Sequence, residues 1–285
     1  MSLAEKRDRL LGLMRSYGSC AVAFSGGVDS AVVAKAARLT LGEKAIAVTG
    51  VSASLAEGEL EQARNLARLI GIRHEVLKTQ EFDDPNYTAN PANRCYFCKT
   101  ELYDQMQPLA ARLGLAVIVN GANLDDAGDW RPGTQAAGEH EVRSPLAECG
   151  FTKDDVRALA AEWELPVWEK PASPCLSSRV AYGEEVTPER LMMIDRAEQL
   201  LRSLDLQEVR ARYHRGDLVR LEVPSEAIQR LAAPEIRERL TVELKRIGFK
   251  YVTLDLEGFR SGSQNAVLGS ETGRLLPILG GSAPS

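Results

Sequence analysis

The stretch Ser19-Cys-Ala-Val-Ala-Phe-Ser25-Gly-Gly-Val-Asp-Ser30 decides how the rest of the chain is read. Residues 19–24 form a short apolar run suited to a buried parallel strand. The loop 25–30 follows at once, and an alanine-rich helical pattern resumes over residues 29–40. A helix N-terminus leaves amide N–H groups unpaired, and its dipole favours an anion. Gly26 and Gly27 let the backbone turn sharply and approach a phosphate without a Cβ in the way. Ser25 and Ser30 add hydroxyl donors, and Asp29 can help to hold Mg2+ against the phosphate charge. A Walker A loop would need a lysine here, and a dinucleotide site would need spaced glycines. The bland alternative is a Gly-Gly turn that only joins two elements.

Strand and helix patterns alternate on either side of this loop. Residues 3–17 read as a helix, 45–49 as a strand, 55–70 as a helix ended by Gly71, and 72–78 as a strand. Residues 81–94 read as a loop, 99–113 as a helix, and 115–119 as another buried strand. A polar segment follows over 127–150. Thr152 and Asp155 make a capping box for a helix reaching about residue 164, and residues 165–168 extend outward. This alternation predicts an α/β domain with a largely parallel sheet over 1–170. The stretch 171–184, with Pro171, Pro174 and Gly183, predicts a rigid connecting segment bearing Cys175. Over 185–266 the pattern changes: a helix opened by Thr187 and Pro188, a hairpin turning at Gly216-Asp217, a helical stretch over 224–247 and a last strand at 251–256. This is the pattern of a smaller α+β domain. The Gly- and Ser-rich tail 267–285 reads as loose.

The 285 residues suffice for two domains, and the composition, 44% hydrophobic and 26% charged, is ordinary for a globular chain. A net charge of -5 supplies no overall basic field for nucleic acid. No apolar run approaches the length of a membrane span. The first residues carry Glu5 and Asp8 among basic residues and do not form a secretory signal. A cytoplasmic protein is expected. Five cysteines are too few for a disulfide scaffold in a chain of this length.

Two further groups carry chemistry. Asn123, Asp125, Asp126, Asp129 and Arg131 follow a buried strand, where ligands bind in open α/β sheets. Asp126 or Asp129 is a candidate for Mg2+ or acceptor orientation, and Arg131 for phosphate; a solvated loop with local caps is the alternative. Cys95 and Cys98 form a close pair that suits a redox dithiol, half a zinc site or half an iron–sulfur site. Cys175, in a polar segment near Lys170 and Arg179, is placed as a reactive thiol. Three thiolates can hold three irons of a [4Fe–4S] cluster and leave one open. Cys20 reads as a core residue and Cys149 as structural or incidental.

The loop 25–30 resembles the PP-loop of the ATP pyrophosphatase superfamily. That resemblance implies a Rossmann-like domain that cleaves ATP between the α and β phosphates and adenylates a substrate oxygen. Gly121-Ala-Asn-Leu-Asp-Asp126, Asp129-Trp-Arg-Pro-Gly133, Ser173-Pro-Cys-Leu-Ser-Ser-Arg179, Val209-Arg-Ala-Arg-Tyr-His214 and Tyr251 through Gly262 together resemble LarE, a sulfur insertase family of nickel-pincer nucleotide biosynthesis. The resemblance implies adenylation of carboxylates of pyridinium-3,5-dicarboxylic acid mononucleotide and their conversion to thiocarboxylates. In one branch a cysteine matched by Cys175 gives up its own sulfur. The other branch pairs that cysteine with two matched by Cys95 and Cys98 to hold a [4Fe–4S] cluster, and this chain resembles it more. Further roles are implied: Arg210, Arg212 and Arg260 for substrate phosphate or carboxylate, and Glu198 and Glu222 for metal near the phosphate. Arg179 is a candidate to stabilise the acyl-adenylate or to stand near the cysteine thiolates and favour their charged form. A third family carboxylate is Arg230 here, which departs from the auxiliary metal site. Arg210 and Arg212 share one face of a strand; a solvated basic face is the alternative, as is plain surface charge for Glu198. Trp130 is a candidate to cover a ring. A homo-oligomer is implied, and the sulfur donor is unidentified.

Competing readings are a PP-loop tRNA thiolase, an ammonia-using ligase and a non-enzymatic nucleotide-binding or zinc-stabilised protein. The acidic balance argues against stable nucleic-acid binding, and the three non-core cysteines are unexplained in an ammonia ligase.

Overall fold

The computed structural model describes residues 1–126, 132–171, 173–260 and 262–264. Asp129, Trp130, Arg131 and the tail 267–285 lie outside them. Two compact units result, Met1–Thr88 with Asn93–Cys175, and Ala89–Ala92 with the chain from Leu176 onward.

The first unit is an α/β layer structure. Its elements are α1 (Leu3–Tyr17), β1 (Cys20–Ala23), α2 (Val28–Leu41), β2 (Ala45–Val51), α3 (Glu59–Ile70), β3 (Arg73–Lys78), α4 (Pro85–Thr88), α5 (Arg94–Arg112), β4 (Val117–Val119), α6 (Pro132–Glu139), α7 (Pro145–Glu148) and α8 (Lys153–Glu162). The sheet order is β3-β2-β1-β4 and every pairing is parallel. The side chains of β1 alternate between two cores. Cys20 and Val22 pack with Leu10, Val32 and Leu159, whereas Ala21 and Ala23 pack with Tyr103, Met106 and Leu109. A strand buried on both faces reads as an unbroken apolar run, which is why residues 19–24 are legible as one.

Some boundaries differ from the sequence reading. Gly58, at φ 83, starts α3 at Glu59, not at residue 55. Leu165 and Val167 accept turn bonds from Trp168 and Lys170, so 165–168 turns where an extended stretch is expected. α5 begins at Arg94, five residues early, with Tyr96 N–H donating to the Asn93 carbonyl. The early start puts Cys95 and Cys98 inside the helix, three residues apart on one face.

The second unit contains α9 (Pro188–Arg202), β5 (Arg210–His214), β6 (Leu218–Glu222), α10 (Ile228–Ala232), α11 (Pro234–Ile247) and β7 (Tyr251–Leu254). β5 and β6 form the antiparallel hairpin, with Gly216 and Asp217 both at positive φ in the turn. β7 joins β6 in parallel, with α10 and α11 in the connection.

Candidate active site

The phosphate loop is built from contacts of its own residues. Ser25 and Ser30 hydroxyls lie 3.2 Å apart, Ser30 Oγ donates to the Gly27 carbonyl at 3.0 Å, and Gly27 N–H donates to Ser25 Oγ at 3.3 Å. Gly26 has φ +75, and a Cβ there would meet Ala63 of α3 at 3.3 Å. Gly121, just past β4, comes closer still: a Cβ there would stand 2.8 Å from the Ser30 nitrogen. The loops after β1 and β4 thus meet where the strand order reverses, the place at which open α/β sheets bind ligands.

Asp29 is held from two sides in this crevice. Asn123 Nδ2 donates to its Oδ1 at 3.0 Å, and Lys153 Nζ reaches its Oδ2 at 2.5 Å. Asp126 accepts from the Asn123 N–H at 3.0 Å, and Asp125 accepts from the Lys153 N–H at 2.7 Å. The Thr152–Asp155 capping box is present and fixes the start of α8, which carries Lys153. The structure therefore gathers Ser25, Gly26, Gly27, Asp29, Ser30, Asn123 and Asp126. It adds Lys153, which the sequence shows only as the residue after a helix cap.

The three candidate thiols also belong to this unit. Cys95 and Cys175 are exposed, Cys98 is half-buried, and none is in a disulfide. Burial first, then Cys175, Glu81 and Cys95, push the Cys98 thiol up to about 12, with Lys99 acting in the opposite direction. Burial disfavours the Lys99 charge, but Tyr103 and the thiols of Cys98, Cys95 and Cys175 outweigh it, and the net shift is upward. The segment leading to Cys175 hangs from the helix beside the phosphate loop. Lys170 Nζ meets Glu59 at 3.1 Å and Gln62 at 2.9 Å, and Ser173 Oγ donates to Glu59 at 3.3 Å. Glu59 opens α3, the helix whose Ala63 packs on Gly26.

These thiols are the right kind of donor for a soft metal or an iron–sulfur cluster. Their geometry is less complete: among the described residues no three His, Cys, Asp or Glu side chains converge to hold a metal ion. The arrangement as it stands does not fit a closed metal centre. Cys20 and Cys149 are fully buried in the core, and burial raises both thiols, Cys20 to about 12.

The second unit concentrates charge. Arg179 is buried and grips Glu198 with two nitrogens, at 2.9 and 3.2 Å. Arg202 adds a bond to Glu198 at 2.9 Å, and the Ala211 N–H of β5 donates to it at 3.3 Å. Arg212 grips Glu222 at 2.9 and 3.1 Å and donates to the Ser178 carbonyl. Arg220 meets Glu222 at 3.0 Å and also pairs with Asp255. The two carboxylates implied as metal ligands are thus fully buried and engaged by arginines. Arg210 lies over the Phe259 ring at 5.1 Å. Burial, then Arg179, pull its guanidinium down to about 10, with Arg212 and Arg202 adding to the effect. Arg260 is exposed and pairs with Glu257 at 2.6 Å. Arg230 donates to the Leu204 carbonyl at 2.8 Å.

A buried strand, a glycine-containing loop carrying Asp29 and a helix at the sheet's reversal point define an ATP-dependent enzyme of the PP-loop ATP pyrophosphatase class. The asparagine synthase family profile matches residues 11–107. An uncharacterized protein of Synechocystis is 49% identical over 266 residues, covering 93% of this chain and 99% of that protein. The pyridinium-3,5-bisthiocarboxylic acid mononucleotide synthase of Lactiplantibacillus plantarum is 37% identical over 268 residues, covering 94% and 96%. A tRNA-specific 2-thiouridylase of Azorhizobium caulinodans is 30% identical over 191 residues, but covers only 53% of this chain and 48% of itself. The chain belongs to the LarE family of ATP-dependent sulfur transferases. No helix among the described residues is long and apolar enough to cross a membrane.

Proposed function

We propose that this protein uses ATP to adenylate a carboxylate of pyridinium-3,5-dicarboxylic acid mononucleotide and then replaces AMP by sulfur. The observation that carries this reading is the tie, within one unit, between the phosphate loop and the Cys175 segment through α3. Likeness over nearly the whole length of the pyridinium mononucleotide synthase supports the substrate. The tRNA thiouridylase likeness stops at about half of the chain, which favours a small-molecule acceptor over a tRNA base.

The residues divide the work as follows. Ser25, Gly26, Gly27 and Ser30 cradle phosphate, and Asp29 would hold Mg2+, which would supply charge balance to the phosphates. Lys153, paired with Asp29, stands beside the loop as a cation for the phosphates. A carboxylate oxygen of the substrate attacks the α phosphorus, and pyrophosphate leaves. The Cys175 thiolate then attacks the acyl carbon, and AMP leaves with the carboxylate oxygen. Loss of the Cys175 Cα proton to a base breaks the Cβ–S bond, giving the thiocarboxylate and dehydroalanine. Arg210, Arg212 and Arg260 serve the anionic groups of the nucleotide. Arg179 acts through Glu198, which fixes β5 by its bond to Ala211.

A second reading assigns Cys95, Cys98 and Cys175 to a [4Fe–4S] cluster. What supports it is that Cys95 and Cys98 stand on one face of α5 in the same unit as Cys175, and that none of the three is in a disulfide. Such a cluster, when bound, supplies exchangeable sulfide and spares the protein's own sulfur. Intact-protein mass spectrometry after turnover with ATP, Mg2+ and the mononucleotide tests the assignment. Conversion of Cys175 is expected to lower the mass by one hydrogen sulfide, localised to residue 175. An unchanged mass, with about four irons and four labile sulfides per chain after anaerobic reconstitution, selects the cluster. Absence of AMP and thiocarboxylate in either preparation overturns the function itself.

A further inference from the structure

Thr49 has no assigned part in ATP binding, yet it touches the backbone that enters the phosphate loop. It stands on β2, is 4% exposed and donates its hydroxyl to the Phe24 carbonyl at 2.7 Å. Its oxygen also lies 2.8 Å from Nε2 of His74 on β3. A hydroxyl has one hydrogen, and here it points to Phe24, so the imidazole supplies the N–H from Nε2. Burial first, then Arg64, pull this imidazole below its ordinary range, with Glu75 opposing. The His74 ring also meets the Phe24 ring edge-on, with centroids 5.8 Å apart.

The Phe24 carbonyl belongs to the peptide that opens the loop. β1 pairs with β2 as far as Ala23 and Val48, and Phe24 N–H adds one more bond, to the Val48 carbonyl at 2.8 Å. The next peptide plane, Phe24–Ser25, leads out of the strand. Thr49 holds its carbonyl, and its N–H, on Ser25, donates to Ser30 Oγ at 3.3 Å. Both sides of that plane are therefore fixed, one from β2 and one from α2. The rest of the loop follows from its orientation: Ser25 Oγ accepts the Gly27 N–H at 3.3 Å, and Gly26 stands at φ +75. A loop of this kind binds an anion only while its amide groups keep their direction. Phe24 and Thr49 are both buried, so loss of the hydroxyl leaves the carbonyl without a ready donor.

We propose that Thr49 is a positioning residue for ATP: its hydroxyl, oriented by His74, fixes the Phe24–Ser25 peptide and with it the direction in which residues 25–30 present their donors to phosphate. The proposal rests on the reading of that loop as an ATP site and on nothing about the acceptor or the sulfur. All of its contacts lie within the first unit.

The test is calorimetric titration of the full-length protein with ATP and with inorganic pyrophosphate, each with Mg2+. Thr49→Ala removes the hydroxyl without placing a methyl group against the Phe24 carbonyl, and Thr49→Ser restores it. We expect Kd for both ligands to rise about tenfold in Thr49→Ala, the size of one buried hydrogen bond, and to return close to the wild-type value in Thr49→Ser. His74→Phe keeps a ring against Phe24 and removes the orienting N–H; it should weaken both ligands in the same direction, by less. A folded Thr49→Ala variant that binds both ligands as the wild type does overturns the proposal. So does a loss in Thr49→Ser equal to that in Thr49→Ala, which would assign the effect to packing. Should Thr49→Ala lose its cooperative unfolding transition, His74→Phe carries the test, and wild-type affinities there overturn the proposal. A wild-type protein with no affinity for either ligand gives a distinct result: it overturns the ATP reading of the loop itself.

Discussion

Asp29 reaches Lys153 at 2.5 Å and Asn123 at 3.0 Å, so the acidic residue of the phosphate loop is held in place from two sides. Lys153→Ala should lower kcat/KM for ATP, read as pyrophosphate release, by about 100-fold, the usual cost of losing one preorganised charge. Its effect on stability should be small, because an ion pair with both partners part-exposed is worth about 0–1 kcal/mol. Gly121→Ala tests the crevice differently: the added Cβ would meet backbone of the phosphate loop, so ATP affinity and melting temperature should both fall. Cys98 gives a pH signature. Burial, then Cys175, hold its thiol near 12, so alkylation of Cys98 should be slow at neutral pH and rise about tenfold per pH unit on the alkaline side. A plateau below pH 9 would contradict that. At this scale the loop residues were legible because strand, glycines and helix follow one another in sequence. Lys153 was not, because it meets Asp29 across 124 residues and only the fold pairs them.

Elements carry the second group of consequences. α9 places Glu198 under β5, where it serves Arg179, Arg202 and the Ala211 N–H at once. Glu198→Ala leaves Arg179 buried without its carboxylate and should cost about 3–5 kcal/mol in urea unfolding. If these carboxylates serve arginines and not a metal, a chelator should leave that unfolding curve unchanged; a clear loss of stability on chelation would restore Glu198 and Glu222 as metal ligands. The start of α5 shows why element ends are hard to read. Cys95, Tyr96 and Phe97 have modest helix propensity and follow a stretch rich in Asn and Pro, so local sequence reads as loop. Docking of α5 on the sheet, with Tyr103 and Met106 in its core, overrides that preference. β6 and β7 were each legible as strands, but their parallel pairing depends on the helical connection and is not written in either strand.

For the whole molecule, the sequence shows the alternation that makes an α/β unit, since its strands are buried on both faces and stand out as apolar runs. It does not show that Ala89–Ala92 joins the second unit, because those four residues carry no pattern of their own. Buried thiols also set a global pH response. Cys20 and Cys98 have folded values near 12 against about 9 for an ordinary thiol, so the unfolded chain holds fewer protons between these limits. Stability should be fully present below pH 9 and fall as pH rises towards 12, by up to about 1.4 kcal/mol per pH unit per thiol. Urea unfolding at stepped pH measures it, and Cys20→Ala should flatten the slope. The central claim, that a substrate carboxylate is adenylated before sulfur replaces its oxygen, is tested most directly by isotope transfer. The mononucleotide is prepared with heavy oxygen in its carboxylates and incubated with the protein, ATP and Mg2+. The account predicts AMP carrying one heavy oxygen for each thiocarboxylate formed. Unlabelled AMP, or thiocarboxylate formed without AMP, would contradict it.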